Sequence, residues 1–188
     1  MNSVIDVYAL TTPIVAISIQ LFAIILFIQA AVHKARGYID FVSVLSGYKL
    51  IPISLIWIVA GLVILVETLA VLGLLLTIPL LKYLAAALLV IYAIAIEINV
   101  VRGRTEIDCG CGGQSLPISQ SLVSRNLVIA GLLAGSTHIV GFVGILQVGV
   151  EYWLLIAGTV MVFGSLYLSY NQLCLNQGRQ KILIRKTS

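Results

Sequence analysis

The sequence has 188 residues, of which 61% are hydrophobic and only 10% are charged, and its mean hydropathy is +1.13. A soluble globular domain carries about 25% charged residues. This composition therefore excludes a water-covered surface and predicts an integral membrane protein. The net charge of +4 does not indicate nucleic-acid binding, because the basic residues lie between and after apolar segments, where membrane topology places them.

The first three apolar runs predict three membrane-spanning helices, at residues 14–32, 53–78 and 82–101. Each is long enough to cross a bilayer, and the absence of alternation favours helices over a barrel. A cleaved signal peptide is the less favoured alternative for the first run, because no Lys or Arg precedes it and the run is too long. Residues 37–51 are expected to form a loop, and Pro52 is well placed to open the second helix.

Two further apolar runs, at residues 122–146 and 152–170, complete a predicted all-α bundle of about five transmembrane helices. The whole chain is then a single membrane domain. Gly131 and Gly135 on the fourth helix have a spacing that permits close helix contact. The polar stretch from Asn171 onward is expected to be a tail.

Five spans place the termini on opposite sides of the membrane and distribute the basic residues unequally. One side holds ten Lys and Arg residues, and the other holds Lys82 alone. Because cytoplasmic loops carry the excess of Lys and Arg, we expect a periplasmic N-terminus and a cytoplasmic C-terminus. The ten residues are Lys34, Arg36, Lys49, Arg102, Arg104, Arg125, Arg179, Lys181, Arg185 and Lys186.

The longest polar interruption, residues 99–126, contains Cys109 and Cys111 in a Cys-Gly-Cys-Gly-Gly turn. Cysteines two positions apart reach disulfide distance only on a bent backbone, and glycine permits that bend. A disulfide formed there is expected to be strained, and therefore oxidising and labile. The turn thus suits thiol–disulfide exchange, a metal site or a purely structural role.

Three arginines flank this turn, at Arg102, Arg104 and Arg125, and cationic neighbours favour the reactive thiolate. A metal site would need further ligands. Cys174 and His33 are predicted on the same side of the membrane and would complete a set that zinc accepts. No local spacing supports that set, and Cys174 fits better as a small buried residue.

Two acidic residues lie within the predicted spans. Glu67 is near the middle of the second, where a charged side chain is costly and usually faces the bundle interior or a cavity. We therefore expect Glu67 to be largely neutral, either in a proton or substrate site or in a hydrogen bond between helices. Glu97 lies near the end of the third span, within reach of Arg102 and Arg125.

Several of these motifs follow one another in a characteristic order: His33-Lys34, Tyr48, Pro52, Glu67, residues 99–104, residues 108–112 and residues 125–127. This order resembles the MauE-type methylamine-utilisation membrane proteins, which are related to the DoxX-like group. The resemblance covers nearly the whole chain, and its most specific part is residues 99–127. Many members have an aromatic residue after the second cysteine, whereas Gly112 and Gly113 follow Cys111 here.

The resemblance implies an inner-membrane factor for the maturation of methylamine dehydrogenase, chiefly its disulfide-rich periplasmic small subunit. It also implies a thioredoxin-like partner of the MauD type. Cys109 and Cys111 are then the candidate catalytic residues of a thiol–disulfide oxidoreductase. The supporting residues are Arg102, Arg104, Arg125, Asn126, Glu67 and Glu97.

Two other functions remain compatible with the sequence, and no cofactor is assigned. One is a non-catalytic membrane assembly or export partner with structural or metal-binding cysteines. The other is a small-solute transporter that uses Glu67, although no inverted repeat supports it. The predicted orientation places both thiols at the cytoplasmic face. Action on a periplasmic substrate therefore requires electrons to pass through the bundle, or the opposite orientation.

Overall fold

The computed structural model describes residues 2–76, 78–110, 116–140 and 149–187; side chains are described within these ranges for residues 12–137, except residue 79, and for residues 149–176. These ranges form six α-helices and two short 3-10 turns, at Ile53–Leu55 and Val150–Tyr152. The α-helices are α1 (Asn2–Arg36), α2 (Tyr38–Tyr48), α3 (Ile56–Leu75), α4 (Pro79–Val101), α5 (Gln120–Val140) and α6 (Trp153–Thr187).

Four segments of the described chain are long and apolar enough to cross a membrane, and the all-α membrane bundle is confirmed. They are Thr12–Arg36, Ile53–Leu75, Leu80–Val101 and Val150–Asn176. The fourth predicted span corresponds to α5, which is not among these four, and residues 141–148 lie outside the described ranges. The number of five spans therefore stays a prediction.

Four helices form a closed ring in which each packs against two neighbours, in the order α1, α3, α4, α5 and back to α1. The core inside this ring is rich in alanine, which lets the helix backbones approach closely; Ala16, Ala23, Ala70 and Ala85 are all buried there. The helix α6 packs on the outside of the ring against α1, and α2 packs against α3. Apolar side chains cover the outer surface, as a lipid-facing surface requires.

The turn between α3 and α4 depends on a close approach of the two helices. Pro79 begins α4, and the preceding Ile78 is extended, as expected for a proline in a first helical turn. Gly73 faces Leu81 so closely that a Cβ atom at Gly73 would clash with the Cβ of Leu81 and lie 2.9 Å from its carbonyl carbon. By contrast, a Cβ at Gly131 or Gly135 would meet nothing within 4 Å, so that face of α5 makes no close helix contact in the described structure.

The segment expected to be a loop between the first two spans contains the helix α2. It packs beside the start of α3, where Val42, Ile56 and Ala60 form a buried cluster. The hydroxyl of Tyr38 donates to the carbonyl of Trp57 at 2.6 Å. The sequence prediction was wrong here because an 11-residue helix is too short to give a membrane-span signal.

The basic residues used to predict orientation do not all lie at the surface. Lys34 is 4% exposed and Arg125 is 7% exposed, and Lys82 on the opposite side is 1% exposed. These three cations are therefore buried within the protein. The unequal distribution of basic residues between the two membrane sides then depends on the other Lys and Arg residues. The polar tail expected from Asn171 onward is helical, because α6 continues to Thr187.

Candidate functional site

The loop between α4 and α5 leaves one end of the ring and returns on itself. An antiparallel bridge joins Asp108 to Pro117, and the amide of Cys109 donates to the carbonyl of Leu116 at 2.8 Å. Backbone pairing therefore fixes the position of Cys109 relative to the returning arm of the loop.

The described cysteines differ in state. Cys109 is disulfide-bonded and half-buried, whereas Cys174 is free and buried, as predicted for a small interior residue. Cys111 lies outside the described residues. Both Cys109 and Cys174 contribute to one apolar cluster, so they lie at the same end of the bundle. Within the ranges that the structure describes, no three His, Cys, Asp or Glu side chains are placed to hold a metal ion.

Gly110 gives the loop its bend. Its φ is +68°, a left-handed conformation that costs an L-residue with a side chain roughly 1–2 kcal/mol. Its amide donates to Oδ1 of Asp108 at 3.0 Å. A Cβ at this position would lie 3.1 Å from Cγ1 of Val44, so the loop rests against α2.

Tyr48, the last residue of α2, supports the same loop. Its hydroxyl donates to the carbonyl of Cys109 at 3.3 Å, and the side chain is buried. Burial raises the pKa of Tyr48, and the charge of Asp108 raises it further. Its ring thus remains neutral and able to donate this hydrogen bond above its ordinary pKa of 10.0.

We expect Tyr48→Phe to lower the free energy of unfolding by about 0.5–1.5 kcal/mol at neutral pH, since one buried hydrogen bond is lost. The folded-state pKa of Tyr48 lies above the unfolded value of 10.0, so the neutral phenol stabilises the fold below pH 10 and this contribution is lost as the pH rises further. The deficit of the variant should therefore shrink at alkaline pH. Thermal unfolding in detergent at several pH values measures it. The matched control is Tyr38→Phe; an equal pH response in that variant contradicts the prediction.

The three predicted arginines differ in their surroundings. Arg102 ends α4 and is exposed, and Arg104 is half-buried. Arg125 is buried and faces α6: it donates to Oδ1 of Asn171 at 2.7 Å, and its guanidinium lies 5.2 Å from the ring centre of Tyr167.

Two of the three other supporting side chains, Asn126 and Glu97, lie near the start of α5 or contact it. Asn126 accepts two hydrogen bonds from Arg125 through its Oδ1, at 3.2 and 3.4 Å. Glu97 accepts from Nε2 of Gln120 at 3.0 Å, rather than from an arginine. Glu97 and Gln120 thus join the end of α4 to the start of α5 beside the cysteine loop.

A buried ion pair joins α1 to α3. Nζ of Lys34 donates to Oε1 of Glu67, and the hydroxyl of Tyr92 donates to the same oxygen at 2.7 Å. The side chains of Lys34 and Glu67 are 4% and 0% exposed. Nζ also lies 5.2 Å from the ring centre of Tyr92 and 5.4 Å from that of Phe41. The sequence prediction of a neutral Glu67 did not include this cationic partner.

Lys34 is the buried charged residue of this candidate site that sequence reasoning missed. Its place near the end of the first span matches a residue that anchors the helix at the membrane surface, so the sequence suggested an exposed role. The sequence does contain a signal for the pair: a lysine near one helix end and an acidic residue inside another span. Charged residues within a membrane usually pair, so the two could have been predicted to meet.

A cavity of about 510 Å³ lies beside this ion pair, between α1, α4, α5 and α6. Most of its wall is apolar, with Phe27, Leu89, Ile129 and Val160 among the lining residues. Nine polar or charged side chains also line it: Gln29, Lys34, Glu67, Tyr92, Arg125, Asn126, Tyr167, Asn171 and Gln172.

Two buried polar atoms at this cavity have no hydrogen-bond partner within the described structure. They are Oε2 of Glu67, an acceptor, and Nδ2 of Asn126, a donor. Glu67 is 0% exposed and Asn126 is 3% exposed. Unsatisfied buried groups are costly, so the cavity presents both a donor and an acceptor to whatever fills it.

Three of the supporting residues predicted from the sequence line the cavity: Glu67, Arg125 and Asn126. Cys109 does not line it, but the connection is short: Leu116 lines the cavity and its carbonyl accepts the hydrogen bond from Cys109. The site therefore has two adjacent parts, a disulfide loop at the end of the bundle and a polar cavity within it.

Residues 12–139 match the family model described as methylamine utilisation protein MauE. The chain is 40% identical over 128 residues to the methylamine utilization protein MauE of Paracoccus denitrificans, which covers 65% of this chain and 68% of that protein. It is 39% identical over 133 residues to the MauE protein of Methylorubrum extorquens, which covers 64% of this chain and 67% of the relative. No solved structure gives a significant match.

The matched segment includes α1 to α5, and with them the disulfide loop, the ion pair and most of the cavity wall. The match covers more than half of the chain, and the structure is that of a multi-pass membrane protein. The chain therefore belongs to the MauE family of methylamine utilisation proteins.

Proposed function

We propose that this protein takes part in the maturation of methylamine dehydrogenase as a thiol–disulfide relay that exchanges disulfides with a thioredoxin-like protein of the MauD type. The observation that carries the proposal is the disulfide-bonded Cys109 in a glycine-bent loop at the end of a membrane bundle. The MauE family supports the link to methylamine metabolism.

The chemistry of the exchange is a balanced two-electron reaction. We propose that Cys109 and Cys111 form the active disulfide. A thiolate of the partner attacks one of these sulfurs, which forms a mixed disulfide and releases the other sulfur as a thiolate. A second thiolate of the partner then resolves the mixed disulfide. The partner leaves oxidised, and Cys109 and Cys111 are left as thiols.

Hydrogen bonds hold the backbone of the loop at the position where it carries the disulfide. The amide and the carbonyl of Cys109 are both hydrogen-bonded, to Leu116 and Tyr48 respectively. Because both contacts use the backbone atoms of Cys109 and not its sulfur, opening of the S–S bond breaks neither of them. The position of Cys109 is therefore maintained in both redox states, as a repeated exchange reaction requires.

We expect Cys109→Ser and Cys111→Ser each to abolish the production of active methylamine dehydrogenase, because either substitution leaves only one thiol. The measurement is dehydrogenase activity and small-subunit disulfide content in cells grown with methylamine. Cys174→Ser is the matched control, since Cys174 is free and buried, and it should mature the enzyme normally. Membrane levels of all three variants are compared by immunoblot.

Undiminished maturation in a normally inserted Cys109→Ser protein would exclude the relay and favour a non-catalytic assembly partner. Orientation is tested in the same cells. An impermeant thiol reagent applied to intact cells and to inverted vesicles, after mild reduction, reports the side on which Cys109 lies. Labelling in intact cells would contradict the cytoplasmic placement predicted from the basic residues.

A further inference from the structure

We propose that the cavity between α1, α4, α5 and α6 binds a membrane quinone. The first argument is the shape and chemistry of the wall. A volume of about 510 Å³ lies within the range of about 300–1,000 Å³ that is usual for small-molecule sites. Most of the wall surface is apolar, and the polar side chains include the ion pair and the Arg125–Asn126–Asn171 group, so it suits a flat apolar ring with polar substituents.

The second argument is access from the lipid. The lining residues Ile25 on α1 and Leu168 on α6 are 52% and 64% exposed, so the cavity opens at the outer surface between these two helices. Only 6% of the most apolar window of the α6 span is buried, so most of this helix faces outward. A ligand dissolved in the bilayer reaches the cavity without crossing water.

The third argument is the pair of unsatisfied buried atoms. Nδ2 of Asn126 needs an acceptor, and Oε2 of Glu67 needs a donor. A quinone carbonyl accepts a hydrogen bond from Asn126, and the hydroxyl of the corresponding quinol donates one to Glu67. A fatty acid fits less well, because its carboxylate would meet the carboxyl oxygen of Glu67.

A quinone in this position completes the reaction of the loop, and this step rests on the proposed function. The two thiols of Cys109 and Cys111 form an S–S bond and release two electrons and two protons. The quinone takes up both electrons and both protons, and its two carbonyls become hydroxyls. Leu116 lines the cavity and is bonded to Cys109, so the acceptor lies next to the loop that it reoxidises.

The decisive test compares two glycines of α6. A Cβ at Gly158 or Gly164 would meet nothing within 4 Å, so a side chain can begin at both positions without a clash. Gly164 lines the cavity and Gly158 does not. In protein reconstituted in lipid nanodiscs, we expect Gly164→Leu to weaken the binding of a tritiated short-chain ubiquinone analogue at least about tenfold, and Gly158→Leu to leave it unchanged.

A second pair of variants tests the polar contact. Asn126→Leu removes the unsatisfied donor and should weaken binding. Gln20→Leu is its control, because the Gln20 amide is also buried without a partner but does not line the cavity. Absence of saturable quinone binding to the native protein, equal affinity in Gly164→Leu and Gly158→Leu, or equal displacement of the probe by oleate each overturns the proposal.

The same binding assay on the Cys109→Ser/Cys111→Ser double variant separates the two proposals. Quinone binding depends on the cavity and should persist in this variant. Loss of dehydrogenase maturation, by contrast, depends on the thiols. If the protein binds quinone but matures the dehydrogenase without the two cysteines, the relay is contradicted and the quinone site is not. If maturation needs the two cysteines but the protein binds no quinone, the quinone site is contradicted and the relay is not.

Discussion

Lys34→Met is expected to lower the free energy of unfolding by about 3–5 kcal/mol, because it leaves the carboxylate of Glu67 buried without its cation. Lys34 Nζ is the salt-bridge partner of Glu67, and Glu67 is 0% exposed. Methionine matches the length of the lysine stem, so the apolar contacts are largely kept. Unfolding in mixed detergent micelles, followed by circular dichroism, measures the loss.

A double variant and a control distinguish the ion pair from a general effect of losing a lysine. Lys34→Met/Glu67→Gln should regain most of the stability, since the buried charge is gone and glutamine still accepts the hydrogen bond from Tyr92. Arg36→Met removes an exposed cation two residues further along and should cost little. A Lys34→Met protein as stable as Arg36→Met would show that the buried pair contributes nothing.

Gly73→Ala is expected to lower stability by about 3 kcal/mol, at the upper end of overpacking costs. The new methyl group would clash with the Cβ of Leu81 and lie 2.9 and 3.0 Å from its carbonyl carbon and Cα. Because part of the obstacle is backbone, a side-chain rotation cannot relieve it, and α3 and α4 must separate. The measurement is the same unfolding experiment.

The matched control is Gly131→Ala, at another helical glycine. A Cβ at Gly131 would meet nothing within 4 Å, and alanine is favoured over glycine in a helix by up to about 1 kcal/mol. Stability should therefore be unchanged or slightly raised. If both variants unfold alike, the close approach of α3 and α4 at Gly73 is not required for the fold.

Local features of the sequence were predictive because they need no knowledge of the fold. Long apolar runs identified four of the membrane-spanning helices, and the Cys-Gly-Cys turn identified the loop of Cys109. The glycines were harder. Gly131 and Gly135 have the spacing of a close contact, whereas the close contact occurs at the single Gly73. Which glycine faces a neighbouring backbone depends on how the helices are rotated in the bundle, and an almost uniformly apolar sequence does not specify that rotation.

The candidate site was predicted only where its residues are close in sequence. Glu67 stood out alone because a carboxyl within an apolar run is unusual, but its partner Lys34 is 33 positions away. The cavity is formed where α1, α4, α5 and α6 meet, so no segment carries a signal for it. The sequence placed Arg125 beside the thiols of the loop, whereas its hydrogen bond to Asn171 directs it toward α6.

The closed ring of α1, α3, α4 and α5 has a consequence for how the protein is made. The ring contains no contribution from α6, so all its members are synthesised before Trp153. The last helix then docks on a preformed surface, through contacts such as Arg125 to Asn171 and Tyr170 to Ser121. Until that moment the cavity lacks the wall that α6 supplies, so the site closes only after the ring has formed.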